Sequence, residues 1–275
     1  RQAVSDAHQL EATSLCVTFD QHPAKVTAPE SAPLLIHTLE QKLSAFESLG
    51  IESTLVLPFD EAMSQISGEA FIHGLAIDLE RVSSICVGAN FVFGHNRSGN
   101  VKLLQQLGQN LNYITHGLAS VSLDGQTVSS TRIREAISAG QLDAAGQMLG
   151  REYALCGIVI QGDQQGRQLG FPTANLDTTG LCTPPRGVYA AHAEINEQPH
   201  RAVVNIGLRP TLKDPQPSLH VEAHLLDFED DLYEQTCNLT FVGKLREEEE
   251  FESMDALKLQ IEKDVIQARY LFTQL

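Results

Sequence analysis

Cysteine is sparse and scattered in this sequence. Cys16, Cys86, Cys156, Cys182 and Cys237 are odd in number and form no Cys-X-X-Cys pair. That pattern excludes a disulfide framework and a cysteine-based zinc site. Cys16, Cys86 and Cys156 stand in apolar strand-like runs, where a thiol acts as a small buried hydrophobe. Also lacking are a run of about eighteen apolar residues and a basic stretch with an apolar one behind it. The sequence therefore predicts neither a membrane span nor an export signal, and it reads as cytoplasmic. Positive charge is scarce: 19 Lys and Arg stand against 35 Asp and Glu, for a formal net charge of −16. Nucleic acid and anionic membranes require a basic face to displace counterions, so composition argues against both as partners. Internal repeats and low-complexity segments are missing as well.

What is present divides into two patterns. The 275 residues suffice for two medium domains. Residues 1–150 alternate short apolar runs with amphipathic helices. Strands are predicted at 14–19, 53–57 and 84–88. Between them Leu39, Leu43, Phe46 and Leu49 form one helical stripe that Gly50 ends. This predicts β-α-β units around a doubly wound parallel sheet, whose ligands bind at the carboxyl ends of strands, where His22, Asn90 and residues 93–100 fall. From about Tyr153 the pattern becomes short period-two segments punctuated by Gly and Pro, with one closing helix over 253–271. That predicts a small antiparallel barrel capped by a helix over residues 151–275, with the boundary at Gly150–Arg151.

The segment Gly162-Asp-Gln-Gln-Gly-Arg-Gln-Leu-Gly-Phe-Pro-Thr-Ala-Asn175 carries the most chemistry. Gly162, Gly166 and Gly170 let backbone N–H groups approach a phosphate, while Thr173 and Asn175 offer oxygens suited to Mg²⁺ and phosphate. Ordinary turns are the competing reading. In Leu219-His-Val-Glu-Ala-His-Leu225 strict alternation places His220, Glu222 and His224 on one strand face and Leu219, Val221, Ala223 and Leu225 on the other. By pattern alone this is a half-exposed strand. The His220/His224 spacing invites a zinc reading, but no third ligand accompanies it. Ser129, Ser130, Thr131 and Arg132 precede an apolar-periodic segment, so they read either as a helix cap or as an anion site at a helix N-terminus. The run Glu247–Glu250 reads as a solvated face.

These motifs recur in order. The segment 162–175, with Arg186-Gly-Val-Tyr189, Asn205-Ile-Gly-Leu-Arg-Pro-Thr211 and Val221–Phe228, resembles the riboflavin kinase module of the bacterial bifunctional riboflavin kinase/FAD synthetase family. The N-terminal half resembles that family's adenylyltransferase module at Thr18–Pro23, Leu57–Asp60, Val87–Gly94 and Ser129–Arg134. The resemblance implies a six-stranded barrel with Glu222 as catalytic base, Thr173 and Asn175 as ligands of Mg²⁺ and ATP phosphate, and Gly162, Gly166 and Gly170 as a flap. It also implies nucleotide contacts from His22, Asn90, Ser129, Ser130, Thr131 and Arg132. The implied activity is ATP-dependent phosphorylation of riboflavin to FMN, followed in the complete protein by adenylation of FMN to FAD. Arg186–Tyr189 would either line the flavin pocket or form plain strand core. Two departures stand out. Gln21 replaces a proline that the family usually has before the His, which would loosen that turn. A His-X-Gly-His signature is also absent, and Arg1 falls inside the helix that should follow it. The sequence thus reads as N-terminally incomplete, or as a protein that does without the element, and either way adenylyl transfer by this chain is in doubt. The alternatives are a monofunctional kinase with a flavin-binding N-terminal module and a non-catalytic flavin carrier. The sequence does not specify an oligomeric state.

Overall fold

A computed structural model describes residues 1–209 and 218–274. The chain falls into two compact units, Arg1–Val128 and Ser129–Leu275. The first contains α1 (Gln2–Leu10), β1 (Leu15–Phe19), α2 (Leu39–Ser48), β2 (Ser53–Leu57), α3 (Gly68–Asp78), β3 (Ser84–Gly88), α4 (Val101–Leu111) and β4 (Ile114–Leu118). Helices α2, α3 and α4 start where the sequence supplies an acceptor for the first free N–H groups. Thr38 and Gln41 form a reciprocal capping box on α2, Ser67 caps α3 and Asn100 caps α4. α2 ends before Gly50, whose φ of 84° suits glycine.

The strands pair in parallel, as the β-α-β alternation predicts. β1 runs beside β2 from Leu15↔Ser53 to Phe19↔Leu57, and β3 beside β4 from Ser84↔Ile114 to Gly88↔Leu118. Ile72, Leu104, Leu107 and Tyr113 form a buried core against Ile85, Val87 and Phe93. Among the described residues each of these strands is paired on one side only, and a cavity of about 630 Å³ opens between them, lined by Leu15 and Val17 of β1 and by Ile85 and Val87 of β3. This corrects the expectation for two thiols. Cys16 and Cys86 are half-buried, because their strands lack a second neighbour, whereas Cys156 is buried.

The second unit opens with α5 (Ser130–Ser138) and α6 (Leu142–Leu149), followed by β5 (Ala154–Ile160), β6 (Ala174–Asp177), β7 (Gly187–Ile195), β8 (Gln198–Arg209), β9 (Ser218–Leu225) and β10 (Thr236–Arg246). The six strands close into an antiparallel barrel in the order β6-β9-β8-β7-β10-β5. α7 (Met254–Phe272), capped by Ser253, packs Ala268 and Phe272 on Val188, Ala190 and Val203. Leu155, Val204, Ile206, Val221, Ala223 and Leu239 fill the barrel. The helix pair α5–α6 belongs to this unit: Ser138 Oγ lies 3.4 Å from Cys182 Sγ, and Gly140 packs on Pro185.

Candidate functional site

Alternation along β9 points Val221, Ala223 and Leu225 into the barrel and His220, Glu222 and His224 away from it. Leu219 departs from the expected inward set. It is 38% exposed, and its partner across the ladder, Leu208, is 36% exposed, because the barrel core ends before this pair. Register then assembles a polar row. Asn175 of β6 and Asn205 of β8 are the cross-strand partners of Glu222 on its two sides, and partners in an antiparallel ladder share a face. The Thr173 hydroxyl donates to Glu222 Oε2 at 3.4 Å. Asn205 was not singled out from the sequence as a site residue. Its only signal was its place at the head of the Asn205–Thr211 motif, of which Pro210 and Thr211 lie outside the described residues.

The glycines explain how the 162–175 segment reaches this row. A Cβ on Gly162 would collide with the Asn175 amide, and one on Gly166 with the Phe171 carbonyl oxygen. Gly166 accepts the Phe171 N–H at 2.8 Å, so the chain doubles back around it. Gly170 is exposed, with a φ of 89° and open space around it. Gly162, Gly166, Thr173, Asn175 and Glu222 are thus brought together.

Thr173, Asn175 and Glu222 supply a hydroxyl, an amide carbonyl and a carboxylate, a hard oxygen set that suits Mg²⁺. The hydroxyl that donates to Glu222 keeps its lone pairs for a cation. Among the described residues no group of three or more His, Cys, Asp or Glu is arranged to hold a metal ion. His224 Nδ1 instead faces the Pro172 carbonyl at 2.8 Å. Tyr189 is strand core: it is 3% exposed, its hydroxyl donates to the Pro185 carbonyl at 2.6 Å, and burial pushes its pKa up to about 12. Glu248 does more than face solvent. Its Oε1 accepts the Leu208 N–H at 3.2 Å, and its Oε2 lies 3.5 Å from Arg186.

In the first unit His22 and Asn90 follow the carboxyl ends of β1 and β3, where a parallel sheet presents its ligand-binding loops. His22 Nδ1 accepts the Ala24 N–H at 3.1 Å, and Asn90 is exposed. The turn at Gln21 is tethered to the next strand end: Gln21 Nε2 donates to the Phe59 carbonyl at 2.8 Å, and Asp20 Oδ1 accepts the Phe59 N–H at 2.9 Å. A buried polar group lies beside the cavity of this unit. Asp6, 7% exposed, accepts from Ser84 Oγ at 2.5 Å and Gln2 Nε2 at 2.6 Å, with His116 Nε2 at 3.1 Å. These partners, Ser84 first, hold the Asp6 carboxyl below the usual carboxylate range. At α5, in the second unit, the Ser129 hydroxyl accepts the Arg132 N–H at 3.2 Å, so Ser129 is the helix cap, and Ser130 and Thr131 are exposed on the first turn.

Comparison with known proteins agrees with both halves. The FAD synthetase family model matches residues 1–132 and the riboflavin kinase model matches residues 149–272. A bifunctional riboflavin kinase/FMN adenylyltransferase of Pseudomonas fluorescens is 37% identical over 96% of this chain and 85% of its own length. The protein of the same description from Escherichia coli K12 is 34% identical over 94% of this chain and 82% of its own. A crystal structure from Streptococcus pneumoniae, described as a macrolide-efflux protein, superposes with a TM-score of 0.78 at 26% identity, over 96% of this chain and 86% of that one. Among the described residues no helix is long and apolar enough to cross a membrane. With two family models side by side and relatives matched over more than four fifths of their length, the chain belongs to the bacterial bifunctional riboflavin kinase/FMN adenylyltransferase family.

Proposed function

We propose that residues 151–275 phosphorylate riboflavin with ATP and that residues 1–150 serve the adenylation of FMN to FAD, in the cytoplasm, with Glu222 as the catalytic base of the kinase. The observation that carries the kinase reading is the polar row Asn175–Glu222–Asn205 with the Thr173 hydroxyl at 3.4 Å from the Glu222 carboxylate. Glu222 accepts the proton of the ribityl 5′-hydroxyl while that oxygen attacks the γ-phosphorus of ATP and the bond to ADP breaks. Thr173 and Asn175 are the ligands for Mg²⁺, which when bound offsets charge on the phosphates. Backbone N–H groups around Gly162, Gly166 and Gly170 cover the nucleotide. They supply attraction that an acidic protein cannot draw from its net charge of −16.

In the adenylyl step an FMN phosphate oxygen attacks the α-phosphorus of ATP and pyrophosphate leaves. His22 and Asn90, at the strand ends, are proposed as nucleotide contacts. Ser129, Ser130, Thr131 and Arg132 are proposed for the ATP phosphates, where the first-turn N–H groups of α5 favour an anion.

Incubation of the chain with riboflavin, ATP and Mg²⁺, with riboflavin, FMN and FAD resolved by chromatography over time, tests both steps. FMN is the expected first product, and FAD formed from it reports adenylyl transfer. If no FMN forms, the kinase assignment fails.

A further inference from the structure

The turn that presents Thr173 has no ladder to hold it. Backbone pairing of β6 with β9 begins at Ala174↔Ala223, and Pro172, which lacks an N–H, cannot extend it. A side chain of β9 reaches over at that point. His224 stands two residues beyond Glu222 on the same strand face, and its Nδ1 lies 2.8 Å from the Pro172 carbonyl oxygen. A carbonyl can only accept, so Nδ1 is the protonated nitrogen. The Phe171 ring meets the same imidazole edge-on, with centroids 5.4 Å apart and an interplanar angle of 85°. The next residue, Thr173, donates to Glu222 at 3.4 Å. Successive residues Phe171, Pro172 and Thr173 are therefore each fastened to one face of β9, two of them by His224. A histidine that merely met solvent on a half-exposed strand would make neither contact.

We propose that His224 is a positioning residue for phosphoryl transfer: by holding the Phe171–Pro172 carbonyl turn against β9 it sets the Thr173 hydroxyl in register with Glu222, without itself touching substrate. The proposal rests on the kinase reading above for its effect on activity, but not for the contact itself. Its selectivity follows from place. The turn holds the proposed nucleotide-phosphate ligands, so its loosening weakens ATP engagement while riboflavin binding is largely kept.

The test compares His224→Ala with His224→Asn in the full chain. Asparagine places an N–H donor, Nδ2, at the same bond count from Cα as imidazole Nδ1, so it restores the hydrogen bond while removing the ring. One readout is hydrogen exchange of peptides spanning residues 165–175 without nucleotide; the other is the separate KM values for ATP and riboflavin, with kcat. In His224→Ala exchange of that segment rises several-fold and the ATP KM rises roughly tenfold, the scale of one lost hydrogen bond, with the riboflavin KM within about twofold. His224→Asn returns both quantities toward the parent. The proposal is overturned if His224→Ala leaves exchange of 165–175 unchanged, if Asn is no better than Ala, or if both KM values and exchange across the whole barrel shift together. The exchange arm needs no turnover, so a chain that makes no FMN would sink the kinase reading and leave the positioning contact still decided.

Discussion

The Glu222 carboxylate is flanked in the ladder by Asn175 and Asn205 and touched by the Thr173 hydroxyl at 3.4 Å. Replacing it by the isosteric amide removes the basicity and leaves the shape. Glu222→Gln is therefore expected to lower kcat of FMN formation by roughly two to four orders of magnitude, as for a lost general base, while the riboflavin KM changes little. Steady-state kinetics check this, and a near-normal kcat would remove Glu222 from the mechanism. Glu222, Thr173 and Asn175 could be proposed from the sequence because each sits in a local motif. The His224 contact with Pro172 was not, since it joins residues separated by 52 positions and depends on which strands become neighbours. Alternation gave the face of β9 but not what lies across from it. The same blindness misjudged Leu219, Cys16 and Cys86, whose burial depends on neighbours that periodicity does not specify.

Elements were more legible than their attachments. The closing helix, expected over 253–271, spans Met254–Phe272, and the three parallel strands that were expected fall within a residue of their bounds, while the fourth, Ile114–Leu118, was not foreseen. What fastens α7 could not be read, because a helical pattern does not say which of its carboxylates turns inward. Asp264 does, at 2% exposure. It takes Arg246 Nε and Nη2 of β10 at 2.8–3.1 Å and Gln260 Nε2 at 2.9 Å. On the same helix Arg269 pairs with Asp227 at 2.7 Å, but both side chains are largely exposed. Burial decides which matters. Asp264→Ala leaves a mostly buried guanidinium without its partner and is expected to cost roughly 3–5 kcal/mol. Asp227→Ala, which removes only an exposed and solvent-screened pair, should cost far less. Urea unfolding of the two variants checks the ranking, and equal effects would contradict it.

For the molecule as a whole, acidification acts in two opposed ways. With 35 acidic against 19 basic residues, a falling pH relieves self-repulsion and favours compactness down to the isoelectric point near 4.9, below which positive charge accumulates and repulsion returns. Asp6 opposes this locally. Its carboxyl is held below its ordinary 3.8 when folded, first by the Ser84 hydroxyl, so its contribution to stability is present above that value and is lost as pH falls through the lower folded pKa. Melting the parent and Asp6→Asn from about pH 6 to about pH 2.5 separates the two effects. The parent is expected to be the more stable at neutral pH, with the gap closing in acid. A gap that stays constant across the range would show that the Asp6 cluster contributes nothing through ionisation.

The barrel's strand order carries a consequence for how the protein is made. β5 is the first of its strands to be synthesised and β10 the last, yet Ala154 pairs with Thr240 and Ile158 with Thr236, so one edge of β5 waits for about 80 further residues. At ribosomal rates of roughly 5–20 residues per second that wait lasts at least about four seconds. During it an apolar strand offers open backbone groups to any other nascent chain nearby, so slower translation of this stretch should raise the protein's dependence on chaperones.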